Sequence, residues 1–184
     1  ESFQKMNDYF YHQYETGELN IFAWAEFSFK VLTKHSLDEL NKLRKDFVDT
    51  KIKPILLEKA QSCINNHKEK GDTVLVITAS NTFITKPIIE MYGIDHLLAT
   101  EPEFISGRFT GKVSGIPCFQ SGKIDNLMPW LEKNNESLIG SYFYSDSHND
   151  LPLLELVDNP IAVNSDKILS SAAHKNGWPV LDWR

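Results

Sequence analysis

Apolar residues recur at helical spacing through the first third of the chain, then give way to short continuous runs. Phe3, Met6, Phe10 and Tyr14 fall on one helical face. Gly17 ends that run, and a more apolar helix is predicted from about Leu19 to Leu32. A third helix opens at Ser36. Glu39, three residues on, completes a capping box, in which each side chain satisfies the other's orphan backbone N–H. Its apolar face is Leu37, Leu40, Leu43 and Phe47. Pro54 predicts a fourth helix start, because its missing N–H loses no hydrogen bond there. Leu56, Ala60, Cys63 and Ile64 form the inner face of that helix.

The rhythm changes at Gly71-Asp72. Thr73 to Ile77 is a β-branched and aliphatic run, which predicts a strand buried on both faces. A helix follows around Lys86 to Tyr92, with Pro87 in its first turn. His96 to Ala99 predicts a second strand, and Arg108 to Gly115 a short hairpin excursion. The next helix carries Ile124, Leu127, Met128 and Leu131 on one face. Ser141–Ser145 and Pro160–Val163 predict further strands, each followed by a helix: Leu151–Leu156 and Ile168–His174. Pro179-Val180-Leu181 is a last strand or edge. Strands alternating with helices imply βαβ units, a parallel sheet and the α/β class.

A chain of 184 residues fits one domain, or one domain with a smaller insertion. Hydrophobic residues make up 41% and the formal net charge is −6. That balance argues against nucleic acid, which calls for a basic patch. No run is long and apolar enough to span a membrane; Ile21 to Leu32 is too short and is interrupted by Glu26, Ser28 and Lys30. The two cysteines, Cys63 and Cys118, are far apart, so a disulfide framework is not expected and a reducing cytoplasm is. No signal peptide is read at the start.

Candidate chemistry lies where strands end. Tyr142-Phe143-Tyr144 runs into Ser145-Asp146-Ser147-His148-Asn149-Asp150. In an open α/β sheet, ligands gather outside the carboxyl ends of the strands. Two carboxylates there suit a hard cation such as Mg²⁺, which takes oxygen ligands and bridges to phosphate. Thr78 and Ala79 follow the strand Thr73–Ile77, and their hydroxyl and backbone N–H groups can cradle phosphate oxygens. Lys123, at the start of a helix, supplies a point charge. Each feature has a plain counterpart: a turn residue, a solvated lysine, a helix cap. The ordered set is more specific than any member. A calcium loop is disfavoured by Leu151 and Val157, which stand where glycine and a bidentate glutamate belong. No G-x-G-x-x-G supports dinucleotide binding, and the histidines show no ligand spacing.

The set resembles the haloacid dehalogenase superfamily, most closely its phosphoserine-phosphatase-like branch. That family's second motif is a hydrophobic strand ending in Ser or Thr, matched by Val74-Leu75-Val76-Ile77-Thr78. Its third is a lysine at a helix start, matched by Gly122-Lys123. Its fourth is an acidic G/S-D-x-x-x-D loop, matched by Ser145 to Asp150. Glu103-Phe104, Gly107 to Gly111 and Pro117-Cys118-Phe119 are also similar to this branch. The resemblance implies a parallel Rossmann-like core over 53–184 and a helical cap over 1–52.

The family's first motif, D-x-D-x-[T/V], supplies a nucleophilic and an acid/base aspartate. No D-x-D occurs in this sequence. Because the chain begins at Glu1, in cap-like helices, the strand carrying that motif is expected upstream, and this chain alone is expected to be inactive. The resemblance implies a Mg²⁺-dependent phosphomonoester hydrolase of a small phosphorylated metabolite, acting through an aspartyl-phosphate. Asp146 and Asp150 would serve the metal, Asp150 directly or through a bound water. Thr78, Ala79 and Lys123 would hold the phosphoryl group, with Thr78 and Lys123 in the catalytic set. Glu26 reads as solvent-facing rather than as a partner for a substrate amine, and Trp24, Phe27 and Phe29 as cap core. The alternative is a degenerate binding or regulatory module that keeps the fold without catalysis.

Overall fold

The computed structural model describes residues 3–184. Three helices form the first part: α1 (Phe3–Thr16), α2 (Ile21–Phe29) and α3 (Leu37–Phe47). Asn20 caps α2 by accepting from the Ala23 N–H. Ser36 and Glu39 close the predicted capping box on α3. The predicted inner face of α3 is mostly outside: Leu40 is buried, whereas Leu37, Leu43 and Phe47 stay exposed. Pro54 does not start a helix. The chain passes through a π turn (Val48–Ile52) and a 3-10 turn (Lys53–Ile55), and α4 (Glu58–Glu69) begins beyond them. Pro54 sits in the first turn of the 3-10 segment, where a missing N–H is equally harmless.

The α/β part contains β1 (Leu75–Asn81), α5 (Thr82–Met91), β2 (His96–Ile105), β3 (Arg108–Ser114) and α6 (Ser121–Asn134). It continues with β4 (Tyr142–Ser145), α7 (Leu151–Leu154), β5 (Asn159–Val163), α8 (Lys167–Asn176) and β6 (Val180–Leu181). β2 is much longer than predicted. Its first half pairs parallel with β1, from Leu75↔His96 to Thr78↔Ala99, and its second half pairs antiparallel with β3. The turn between them, Ser106-Gly107, has φ of 49° and 82°, the left-handed pair that a two-residue hairpin requires.

Helix α5 starts at Thr82, earlier than predicted, so Pro87 lies inside it. A proline there leaves the carbonyl four residues back without its helical donor. That carbonyl, Phe83 O, accepts instead from Arg44 Nη1 of α3 at 2.9 Å. The same guanidinium lies 4.2 Å from the centroid of the Phe83 ring. A potential break in α5 thus becomes a joint between α3 and the core.

The strands form two sheets, ordered β1-β2-β3 and β4-β5-β6, with β4, β5 and β6 all parallel. β1 and β4 are the facing edges. Among the described residues no ladder joins them, and Val76, Ile77, Phe143 and Tyr144 wall the space between. This is why β1, predicted to be buried on both faces, is only half-buried along its length. One apolar cluster (Leu154, Ala162, Leu169, Ala173) joins α7, β5 and α8, and another (Leu127, Leu131, Leu153) joins α6 and α7. No helix among the described residues is long and apolar enough to cross a membrane.

Candidate active site

Thr78, Ala79, Lys123, Asp146 and Asp150 all line one cavity of about 710 Å³. β1 delivers the first two, α6 the lysine, and the β4–α7 loop the carboxylates. Thr78 Oγ1 accepts from the Ser80 N–H at 3.1 Å, which leaves its own proton to donate.

Lys123 is buried in the first turn of α6. The residue before it must be glycine: a Cβ on Gly122 would stand 2.2 Å from the Pro117 carbonyl oxygen. Lys123 Nζ lies 2.5 Å from Asp150 Oδ1. The Ser145 hydroxyl donates to Asp150 Oδ2 at 2.6 Å, and Ser145 Oγ accepts from the Ser147 N–H at 3.1 Å. Both oxygens of Asp150 are therefore engaged, and its geometry is that of a group holding the lysine.

Asp146 differs from Asp150. It is exposed at the cavity, and no hydrogen bond or ion pair engages its carboxylate among the described residues. The loop that carries it is anchored by Asp166, whose N–H donates to the Asp146 carbonyl at 2.9 Å. Asp166 Oδ2 accepts from the His148 N–H at 2.7 Å, and Oδ1 caps α8 through the Leu169 N–H at 2.8 Å. Burial raises the Asp166 pKa, but the hydrogen bonds from Leu169 and His148 outweigh it and hold the carboxyl below its ordinary value. Behind the site, burial pushes the Cys118 thiol up to about 11.

The chemistry of Asp146, an open carboxylate, fits a hard cation such as Mg²⁺. The number of donors does not complete a site: among the described residues no group of three or more His, Cys, Asp or Glu side chains is placed to hold a metal. The residues present fit one side of a metal site.

Helices α1 and α2 form the opposite wall. Phe29 is fully buried, as predicted for cap core, whereas Phe27 is half-buried and stacks on the exposed Phe3 ring at 4.9 Å. Trp24 departs from that expectation, since it is half-buried and lines the cavity with Tyr11 and Tyr14. Glu26 points to solvent and takes no part in the lining. The sequence alone does not reveal Tyr14, Ser145 and Asn149 as members of the site. Tyr14 was hidden in its helical stripe. Ser145 was visible as the residue before Asp146, but nothing in the spacing showed that it would reach Asp150.

The family model for haloacid dehalogenase-like hydrolases matches residues 4–155. The chain belongs to that family. A histidinol-phosphatase of Neisseria meningitidis is 38% identical over 98% of this chain and 83% of its own length. A phosphoserine phosphatase of Mycobacterium tuberculosis is 30% identical, over 81% of this chain and 48% of its own length. A crystal structure of a protein of unknown function from Bordetella pertussis superposes with a TM-score of 0.91 at 39% identity, covering 98% of this chain and 82% of that one. A phospho-aspartyl intermediate analogue of a phosphoserine phosphatase shares the fold at a TM-score of 0.70 and 19% identity. The branch is the phosphoserine-phosphatase-like one, and the chain is a phosphatase of this hydrolase family.

Proposed function

We propose that this chain carries the phosphate- and cation-binding side of a Mg²⁺-dependent phosphomonoesterase, with histidinol phosphate as its substrate. The observation that carries the reading is the convergence of Thr78, Lys123 and Asp146 on one cavity beneath an aromatic cap wall. Thr78 and the Lys123 ammonium would hold two phosphoryl oxygens and orient the phosphorus. Asp150 keeps the ammonium in place. A Mg²⁺ ligated by Asp146 would offset charge on the phosphoryl group. The nucleophile would be an aspartate on a strand lying between β1 and β4, attacking phosphorus to give an aspartyl-phosphate and releasing the alcohol. The open facing edges of β1 and β4 support that placement. The domain division follows: 1–52 as cap, 53–184 as core. The two free cysteines are in keeping with a cytoplasmic setting.

The substrate reading rests on the cap wall. Tyr11, Tyr14 and Trp24 offer flat aromatic surface to a ring, and Lys123 is the one cation among the described residues lining the cavity. The carboxylate of phosphoserine would find no basic partner at the cap. Leaving a desolvated charge unpaired costs more than the about 1–3 kcal/mol of a neutral group. Full-length protein with Mg²⁺ is therefore expected to turn over histidinol phosphate with kcat/KM at least about tenfold above phosphoserine. Equal or reversed values would overturn the substrate assignment.

A further inference from the structure

The geometry points to Tyr14 as a positioning residue that ties cap helix α1 to the ammonium of Lys123; the inference relies on the phosphatase reading only in giving that ammonium a phosphate to hold. The Tyr14 hydroxyl donates to Ser147 Oγ at 2.8 Å across a sequence separation of 133 residues. The backbone N–H of the same serine donates to Ser145 Oγ at 3.1 Å, and the Ser145 hydroxyl donates to Asp150 Oδ2 at 2.6 Å. Asp150 Oδ1 then meets Lys123 Nζ at 2.5 Å. Ser145, Ser147, Asp150 and Lys123 are all buried, so water cannot readily replace a lost link. The link through Ser147 is covalent, so the connection is mechanical and carries no proton.

A second tether runs beside the first. Asn149 Nδ2 donates to the Tyr14 carbonyl at 3.1 Å. Gln120 Nε2 donates to the Gly17 carbonyl at 3.2 Å and to Asn149 Oδ1 at 3.0 Å. Gln120 has φ 48° and ψ −123°, a conformation that side-chain-bearing residues rarely adopt and that surrounding bonds must hold. The last turn of α1 is thus fastened to the acidic loop and to the segment that opens α6. The cap cannot shift there without disturbing the group that holds Lys123.

A packing role for Tyr14 is the competing account, since its ring lies 6.1 Å from that of Phe119. Tyr14→Phe separates the two, keeping the ring and removing the hydroxyl. The readout is hydrogen exchange of the Lys123 ammonium, followed by NMR on the full chain with ¹⁵N-labelled lysine and no phosphate present. Tyr14→Phe should speed that exchange roughly fivefold, the equivalent of one ordinary hydrogen bond. Ser147→Ala should do at least as much, since Ser147 Oγ also accepts from the Asn149 N–H at 3.3 Å, and the double variant should go no further than Ser147→Ala alone, because the Tyr14 link runs through that hydroxyl. Phe119→Leu should leave the rate unchanged. An unchanged rate in Tyr14→Phe, multiplying effects in the double variant, or an equal rise in Phe119→Leu would overturn the assignment. Because no phosphate is used, failure here is separate from failure of the phosphatase reading.

Discussion

Lys123→Ala is expected to destabilise the protein by about 3–5 kcal/mol, far more than loss of a surface lysine. The side chains of Lys123 and Asp150 are 7% and 10% exposed. Truncating the lysine leaves a carboxylate in a poorly hydrated site with Ser145 as its remaining partner. The penalty comes from the stranded charge rather than from the worth of the pair. Replacing both partners by apolar residues of similar size, as in Lys123→Met with Asp150→Leu, should therefore recover most of the loss, because such exchanges are often neutral or better. Urea midpoints for the single and double variants measure this. A Lys123→Ala protein as stable as one lacking a surface lysine would show that the pair is not buried as described. Either variant should also lose binding of inorganic phosphate.

Gly122→Ala is the second large effect, and here two rules oppose each other. Within a helix, alanine is favoured over glycine by about 1 kcal/mol. At this position the added Cβ would lie 2.2 Å from Pro117 O, a backbone atom that cannot rotate away. Helix α6 would have to move off the preceding segment and carry Lys123 with it. The steric term wins: a loss of about 3 kcal/mol or more is expected, in the range of severe overpacking. Inorganic phosphate should also bind at least about tenfold more weakly, since a shift of about 1 Å is enough to spoil such a site. A stabilised Gly122→Ala protein would mean that α6 and the Pro117 segment do not approach so closely.

The candidate site was more legible in the sequence than its supports. Thr78 and Asp146 declare themselves because each follows an apolar run at a strand end, and Lys123 because it opens a helix after Ser121-Gly122; all three boundaries reach a common edge. Asp150 was visible as a carboxylate, but its engagement by both Lys123 and Ser145 depends on how the loop turns, which no local pattern encodes. The sequence places Trp24 in the cap core and Tyr14 only in a helical stripe, because helical periodicity shows which residues share a face and not whether a cavity lies there. Pro87 gave a false helix start for a similar reason. A proline inside a helix is normally excluded, and only the distant Arg44 makes it tolerable. The half-buried state of β1 was unreadable, because an apolar run is the same whether one or both of its edges are paired.

Asp146, Lys123 and Thr78 are proposed as the working side of a Mg²⁺-dependent phosphatase. The most direct measurement is phosphate release from histidinol phosphate by the full-length protein, with and without Mg²⁺, compared with Asp146→Asn. Loss of an outer-shell partner already costs 10- to 100-fold at metal sites, so a direct ligand should cost more than about 100-fold. The account predicts Mg²⁺-dependent release by the wild type and a loss beyond that in Asp146→Asn at unchanged thermal stability. Full activity in Asp146→Asn, or release indifferent to Mg²⁺, would contradict it.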